Sequence, residues 1–422
     1  SSAALETGDI TFNEKGQGTY VKPEPVDDTH FTEKITGDFD QKYVDLGIEK
    51  EQGVYTFVKD TVIDVTKGKD TAMVAIGSKG GPVTINAEGK TLDVSFHSDK
   101  TFAARAIASE TYYGGEPITI KAGKLNLNAE AVDGESQGIF AKVGSTITID
   151  ADTTITTSSN KESNGIYAGN KGIVNMNGNL DIKEDTKAAA YYALKTDGNG
   201  EINVNLKDGN AGDNIVKLNG DIYTKSLASY DRWDDETSIT TSTINLALKG
   251  ADSSWTGRSV YEAFTKGNDT TSYGSFNLWL TDGASWTNQA TGKNAPDGFA
   301  GSHVTNFVGG ADAAHAGHIF QNDTNSITID KYSGNTNIFY THTGNGEAAS
   351  DFAAGDTIIK SAAAGSVVSL ITDNTGINVE NEYSVTDVLN NLAGKLTYSN
   401  FVNGEKNLTG YVKIADGLTA SS

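Results

Sequence analysis

Apolar residues recur at every second position in many short segments of this chain. Clear examples are segments 92–96, 202–206 and 244–248, in which Leu, Ile, Val or Phe alternates with a polar or small residue. This period of two is typical of β-strands with one buried face. Between such segments lie Asp-Gly, Asn-Gly and Gly-Gly steps, where glycine or asparagine adopts the positive φ that tight turns need. The pattern predicts an all-β protein.

An internal repeat indicates how the strands are arranged. Segment 135–141 (ESQGIFA) recurs at 162–168 (ESNGIYA), 27 residues later. Fainter copies align five alanines at intervals of 25 to 33 residues: Ala75, Ala108, Ala141, Ala168 and Ala193. A unit of this length has room for three short strands but cannot bury its apolar face alone, whereas stacked copies bury a continuous core. We therefore expect a three-stranded β-solenoid, that is, a parallel β-helix.

A second repeat lies further along the chain. Segment 244–257 matches 276–288, and the copies end in Ser-Trp-Thr-Gly and Ser-Trp-Thr-Asn. Trp255 and Trp286 therefore occupy equivalent positions. A repeated position in a solenoid is normally a packing position, so we expect both indoles in the core or at a corner.

The two ends differ from the middle. Residues 1–66 are less repetitive and rich in Asp, Glu and Lys, which predicts an N-terminal cap and first coils that protect the solenoid from edge pairing. Residues 67–345 are predicted to form the solenoid with loop insertions, and residues 346–422 to end it. A short helix is predicted there, with Ser384 as its N-cap. Its apolar face is predicted to consist of Val388, Leu389, Leu392, Ala393 and Leu396.

Composition excludes several classes of function. The chain carries 33 Lys and Arg against 55 Asp and Glu, a net charge of −22, and only Arg105, Arg232 and Arg258 are arginines. Nucleic acids and anionic lipid surfaces are therefore not expected partners. No apolar run approaches the roughly 18 residues of a membrane-spanning helix, so no membrane insertion is expected. The absence of cysteine excludes disulfides, thiolate metal sites and cysteine nucleophiles.

The C-terminal part resembles a known family. Segments 327–335 (ITIDKYSGN), 356–359, 364–366 and 383–398, together with the Trp-Thr pairs, are similar to passenger domains of large bacterial autotransporters of the adhesin type. The similarity extends over roughly residues 240–422. It implies a right-handed β-helix and display on the surface of a diderm bacterium. Export would proceed through an outer-membrane β-barrel translocator, expected in addition to these residues.

One segment matches the sequence pattern of a catalytic motif. Segment 134–138 satisfies Gly-x-Ser-x-Gly, the nucleophile elbow of α/β-hydrolases. That elbow needs a strand-to-helix turn, whereas Ser136 recurs as Ser163 in the next repeat. The Gly-Asp-Ser-Gly motif of autotransporter serine proteases is absent. No catalytic residue and no enzymatic activity are predicted.

A metal site requires three ligands on one side of a regular element. Asp312, His315 and His318 would meet this condition on a helix, but Gly310 and Gly317 favour a loop. No metal and no cofactor are predicted.

Loop insertions supply the candidate binding residues. Exposed aromatics on loops 109–115, 226–236 and 257–273 are typical of interfaces. An aromatic ring beside carboxylates can stack on a sugar, whose hydroxyls donate to the carboxylates, or the carboxylates can bind calcium. A solvated acidic loop is the alternative interpretation. The ligand-binding candidates are Tyr112, Tyr113, Tyr230, Asp231, Trp233, Asp234 and Asp235.

Three functions are compatible with these features. The first is a non-enzymatic adhesin whose Asn, Thr and Ser ladders and loops bind an identical rod or a host or bacterial receptor, either protein or glycan, in adhesion, aggregation or biofilm formation. The second is a polysaccharide lyase or glycoside hydrolase on the same fold, disfavoured because a net charge of −22 repels polyanionic sugars. The third is a passive surface spacer. The adhesin is the favoured prediction.

Overall fold

The alternating segments form strands that wind around one apolar interior as a parallel β-solenoid with three faces. The computed structural model describes residues 54–57, 60–67, 74–78, 82–98, 102–110, 116–225, 227–231, 236–266, 269–291, 299–400 and 406–416, together with strands at 10–12, 18–19 and 34–39. The all-β, parallel β-helical fold predicted from the sequence is confirmed.

Face A is a ladder of parallel strands, each hydrogen-bonded to its counterpart in the next coil. Its strands are Val74–Gly77, Ala104–Glu110, Ser136–Lys142, Glu162–Ala168, Ala190–Thr196, Asp221–Lys225 and Ser259–Lys266. Asp269–Tyr273 adds to the last of these in antiparallel orientation.

Faces B and C are joined by three long strands that turn a corner: Val83–His97, Ile118–Glu130 and Thr146–Ser158. Their first halves lie on face B with Val54–Thr56, Ile173–Asn177, Glu201–Val204, Thr243–Lys249, Ser275–Thr281, Gly301–Val308, Ser326–Ser333, Thr357–Ala362 and Leu396–Tyr398. Their second halves lie on face C with Ile10–Phe12, Lys34–Phe39, Thr61–Lys67, Leu180–Ile182, Val216–Asn219, Ser254–Thr256, Ser285–Asn288, Gly317–Gln321, Asn335–Phe339, Ser366–Asp373 and Leu408–Ala415.

Few described elements lie outside these ladders. Gly18–Thr19 pairs with the first strand, and two hairpins are formed by Leu206–Lys207 with Asn210–Ala211 and by Leu227–Asp231 with Glu236–Thr240. Short 3₁₀ turns lie at Ala313–His315 and Ala349–Asp351, and one α-helix spans Glu382–Ala393. Within the described residues, no helix is long and apolar enough to cross a membrane.

The strand register between successive coils confirms the strongest sequence repeat. Ser136 pairs with Ser163 and Ala141 with Ala168, as the 27-residue spacing predicts. Glycine is required inside this repeat, because a Cβ at Gly138 would lie 2.3 Å from Ile155 Cγ2 and 2.8 Å from the Gly165 oxygen. The repeated segment is therefore a place where backbone and core approach each other closely.

The predicted alignment of five alanines is wrong. Ala141 pairs with Ala168, but Ser109 and Thr196 occupy the equivalent positions in the flanking coils. Ala108 instead pairs with Phe140. The face A strands that carry these alanines each have more than one small residue, and a register offset of one to three residues therefore preserves an apparent alanine alignment.

The interior is filled by large apolar side chains in stacked columns. Trp255 and Trp286 are fully buried and pair in register, as the second repeat predicted. Their rings stack with centroids 4.6 Å apart and planes within 7°. Each indole Nε1–H donates to a glycine carbonyl at 2.9 Å, Trp255 to Gly220 and Trp286 to Gly257. Both indole donors are thus satisfied within the core.

The C-terminal helix is confirmed, but its predicted cap is wrong. Asn381 is the N-cap, and its side chain accepts hydrogen bonds from the backbone of Tyr383 and Ser384. Ser384 is already inside the helix and buried with Val388 and Leu392, whereas Ala393 is exposed. Asn and Ser are both favoured N-cap residues, so the sequence alone does not decide between Asn381 and Ser384. The path of the backbone into the helix decides it. The predicted boundaries at 66/67 and 345/346 and the predicted handedness remain predictions.

Candidate functional site

Most of the residues predicted to bind a ligand lie outside the described part of the structure. Tyr112, Tyr113, Trp233, Asp234 and Asp235 lie outside the described residues. Tyr230 and Asp231 belong to the strand Leu227–Asp231, which pairs with Glu236–Thr240 in a hairpin. The side chains of Tyr230 and Asp231 are likewise outside the described part of the structure. Within the insertion at 226–236, the described residues 227–231 form one strand of this hairpin, and the binding role of the insertion remains a prediction.

A continuous ladder of carboxamides runs along the outside of face B. Successive strands pair its residues in register, and each Nδ2 donates to the Oδ1 of the preceding member at 2.9, 2.8, 2.8 and 2.7 Å. The members are Asn175, Asn203, Asn245, Asn277 and Asn306. All five side chains are partly exposed. We call this row the asparagine ladder.

The asparagine ladder has defined ends. Asn175 Nδ2 lies 3.4 Å from Thr148 Oγ1, and Thr148 stacks on Thr119 in the preceding coil. At the other end Asn306 pairs with Lys331. The row is therefore uncharged over five coils and becomes cationic only after its last asparagine.

The ladder uses part of its hydrogen-bonding capacity internally. A carboxamide has two N–H donors and an acceptor oxygen with two lone pairs. One donor and one lone pair serve a neighbouring coil, so a central member such as Asn245 keeps one of each for a partner outside. Because coils repeat at about 4.8 Å, the face presents a row of such groups, except that Asn203 Nδ2 also donates to Glu201 Oε2 at 3.1 Å.

The local sequence gives a partial signal for this ladder. Each central member lies between two inward apolar residues, as in Ile202-Asn203-Val204 and Phe276-Asn277-Leu278. The prediction of solvent-facing Asn ladders is confirmed on this face. Which asparagines belong together follows only from the register between coils.

A mixed-charge depression on face C is a second candidate surface. Its volume is about 320 Å³, and its lining includes Lys124, Asp152, Asn179, Asp181 and Lys217. Asp152 Oδ1 accepts from the backbone N–H of Asn179 at 2.9 Å. Opposite charges alternate here, which gives polar contacts without a net local charge.

The Gly-x-Ser-x-Gly serine is a packing residue. Ser136 is fully buried, and its hydroxyl donates to the Ala129 carbonyl at 2.7 Å. Its register partner Ser163 donates to Thr157 Oγ1 at 2.6 Å. Both hydroxyls are committed to the coil interior, and Ser136 lies within a β-strand of the solenoid.

The three residues weighed as metal ligands do not converge. Asp312 caps a 3₁₀ turn, and its Oδ1 lies 2.6 Å from His315 Nδ1 on the exposed surface. His318 is on the strand Gly317–Gln321 beside Phe339, and burial lowers its pKa. Within the described residues, no group of three or more His, Cys, Asp or Glu could hold a metal ion.

One carboxylate is buried at the side of face A. Asp221 is fully buried, its Oδ1 accepts from the backbone N–H of Arg258 at 2.8 Å, and its Oδ2 lies 3.3 Å from Arg258 Nη2. Burial raises the pKa of Asp221 to about 6, and the hydrogen bonds and charge of Arg258 offset this only in part. The folded protein therefore holds a proton more tightly here than the unfolded chain does.

This carboxylate should make stability fall as pH rises. A raised pKa stabilises the fold fully below the unfolded value of 3.8, and that contribution is lost as pH rises through about 6. The shift corresponds to roughly 3 kcal/mol. In urea unfolding, wild type should lose about this much relative to Asp221→Asn between pH 3.5 and 7. Parallel pH profiles of the two proteins would contradict this prediction.

The exposed Asp213, whose pKa is lowered by its hydrogen bond to Lys249, is the control, since Asp213→Asn should give a small effect of opposite sign.

Comparison of the chain with protein-family models, curated proteins and solved structures finds no match. The fold is established by strand pairing, whereas the autotransporter family remains a hypothesis based on the similar segments in residues 240–422.

Proposed function

We propose that this chain is the passenger of a cell-surface adhesin that mediates adhesion, aggregation or biofilm formation without catalysing a reaction. The observation that carries the proposal is the asparagine ladder, which is uncharged, faces outward and repeats coil by coil. It offers a row of carboxamide groups that repeats over five coils. Such a row suits an extended contact rather than a single substrate.

The energetics of adhesion fit repeated weak contacts. One exposed hydrogen bond contributes about 1 kcal/mol at most, which does not hold two cells together. Linked contacts become effectively intramolecular after the first, and avidity then exceeds single-contact affinity by a factor of roughly 10² to 10⁴. A rigid rod displayed in many copies meets this requirement.

The solenoid interior directs binding to its outside. Large side chains such as Trp255, Trp286 and Phe276 fill the core. Partners would therefore meet the faces and loops. They would be an identical rod on a neighbouring cell, or a host or bacterial receptor made of protein or glycan. Surface display through an outer-membrane translocator belongs to this proposal and rests on the resemblance of residues 240–422.

Display of the chain on a non-adherent bacterium tests the proposal. Clumping or attachment to other bacteria or host cells is expected, because the ladder would face outward. Replacing Asn203, Asn245 and Asn277 together with threonine should reduce it, since threonine keeps the strand but removes the amide donors. The matched control changes Asn128 and Asn337, two partly exposed residues of face C outside the depression, to threonine.

Other outcomes of the same assay separate the competing functions. Absence of clumping and attachment would overturn the adhesive role and favour a passive spacer. Release of reducing or unsaturated sugars from a polysaccharide panel would favour the enzyme instead. Shortening loop 226–236 tests the predicted contribution of Trp233 and its neighbouring aspartates.

A further inference from the structure

Trp279 is placed differently from the other described tryptophans. Along the strand Ser275–Thr281 buried and partly exposed residues alternate, and Trp279 shares the outward side with Asn277. Its Nε1–H has no hydrogen-bond partner anywhere in the described part of the chain, whereas Trp255 and Trp286 both donate to carbonyls. A large indole is therefore held on the outer surface with its donor unused.

Trp279 is partly exposed between two small neighbours. In the ladder of face B it pairs with Ala247 on one side and Val308 on the other. Both are much smaller than an indole, and neither covers it with a polar group. We call Asn245, Asn277, Trp279, Asn306 and Val308 the Trp279 patch.

Two protrusions and a depression border this patch. The hairpin Leu206–Lys207 with Asn210–Ala211 packs against the strand Thr243–Lys249 on one side. On the other side, Thr281 forms a β-bridge with Ala316. This bridge places the loop that carries the exposed Asp312–His315 pair next to the patch. The patch then runs into a depression of about 300 Å³ lined by residues that include Asn306, Val308, Lys331, Ser333 and Ser361. This volume lies at the lower end of small-ligand sites, at roughly 300 Å³.

The chemistry of the patch selects among ligands. An indole offers a flat apolar surface that stacks on the C–H face of a pyranose ring, and its N–H can donate to a hydroxyl. Flanking carboxamides offer paired donors and acceptors to vicinal hydroxyls. No member of the patch is charged, and the net charge of −22 opposes polyanions. We propose that the Trp279 patch binds neutral, pyranose-containing glycans, an inference that rests on the proposed adhesive function and names its ligand class.

Binding by the purified full chain tests the proposal. The probes are neutral gluco- and galacto-oligosaccharides of about six sugars, and heparin is the polyanionic comparison. At least one neutral probe should bind, with an affinity that salt does not change, because no ion pair forms. Trp279→Ala should weaken binding at least tenfold, Asn277→Ala severalfold, and Trp279→Phe less than Trp279→Ala. Tyr383→Ala is the matched control, since Tyr383 is 85% exposed on the distant helix.

Several outcomes would overturn it. These are wild-type affinity in folded Trp279→Ala, loss of binding only on Trp233→Ala, and salt-sensitive binding of heparin alone. Circular dichroism confirms that each variant is folded. Cell display separates this inference from the adhesive role: clumping without any binding of neutral glycans defeats the glycan inference alone, whereas glycan binding without clumping or attachment defeats the adhesive function.

Discussion

Replacing Trp286 with alanine should lower the free energy of unfolding by about 3–5 kcal/mol, the range for deleting a large buried aromatic. Trp286 is fully buried and stacks on Trp255 at 4.6 Å. Its removal leaves a cavity between coils. It also leaves the Gly257 carbonyl without the donor that lies 2.9 Å away. Urea unfolding followed by circular dichroism measures the loss.

The same chain provides a matched control for this change. Trp279→Ala removes the same atoms from the outer side of face B, where the indole is only partly buried and makes no hydrogen bond within the described residues. Its cost should be smaller, about 1–2 kcal/mol, because the indole is partly exposed and no cavity forms in the core. Equal losses in the two variants would show that Trp286 does not pack as described.

Gly257→Ala should destabilise the solenoid by about 3 kcal/mol or more, because it combines overpacking with backbone strain. A Cβ there would lie 2.2 Å from the Gly220 oxygen and 2.9 Å from Trp255 Nε1. The clash is with backbone, which cannot rotate away. It also disrupts the hydrogen bond from Trp255 to Gly220. Gly257 has φ of +153°, which adds to the cost.

Gly250→Ala isolates the effect of strain. Gly250 also has a positive φ, +89°, but a Cβ there would meet no atom within 4 Å. Its substitution should cost about 1–2 kcal/mol from backbone conformation alone. The difference between the two unfolding free energies then measures the steric contact between coils. A Gly250→Ala protein as unstable as Gly257→Ala would contradict this assignment.

Some features of the fold could be recognised from particular residues. The pairs Ser136–Ser163 and Trp255–Trp286 were predicted because repeats conserve packing positions, and both pair in register. The aligned alanines failed because a small residue fits several places along one strand. The position of Asn381 rather than Ser384 at the helix N-cap depended on the chain path from the preceding coil.

The candidate sites were less predictable than the fold. Aromatic residues beside carboxylates pointed to loops 109–115 and 226–236, whose key side chains lie outside the described residues. The sequence does not single out Trp279, because an indole in an alternating strand is equally compatible with a core position. Its outward side becomes evident only from its place beside Asn277 and opposite Ala247.

Alternation with period two and a repeat of 25 to 33 residues are local properties of the chain, and they are sufficient to predict short strands stacked in coils. Which outward residues form a row depends on contacts between coils. Loops and irregular steps of different length separate the coils, so the register of Asn203 on Asn175 or of Trp279 on Ala247 is set by contacts between residues distant in sequence. The surface that would meet a partner is a product of that register.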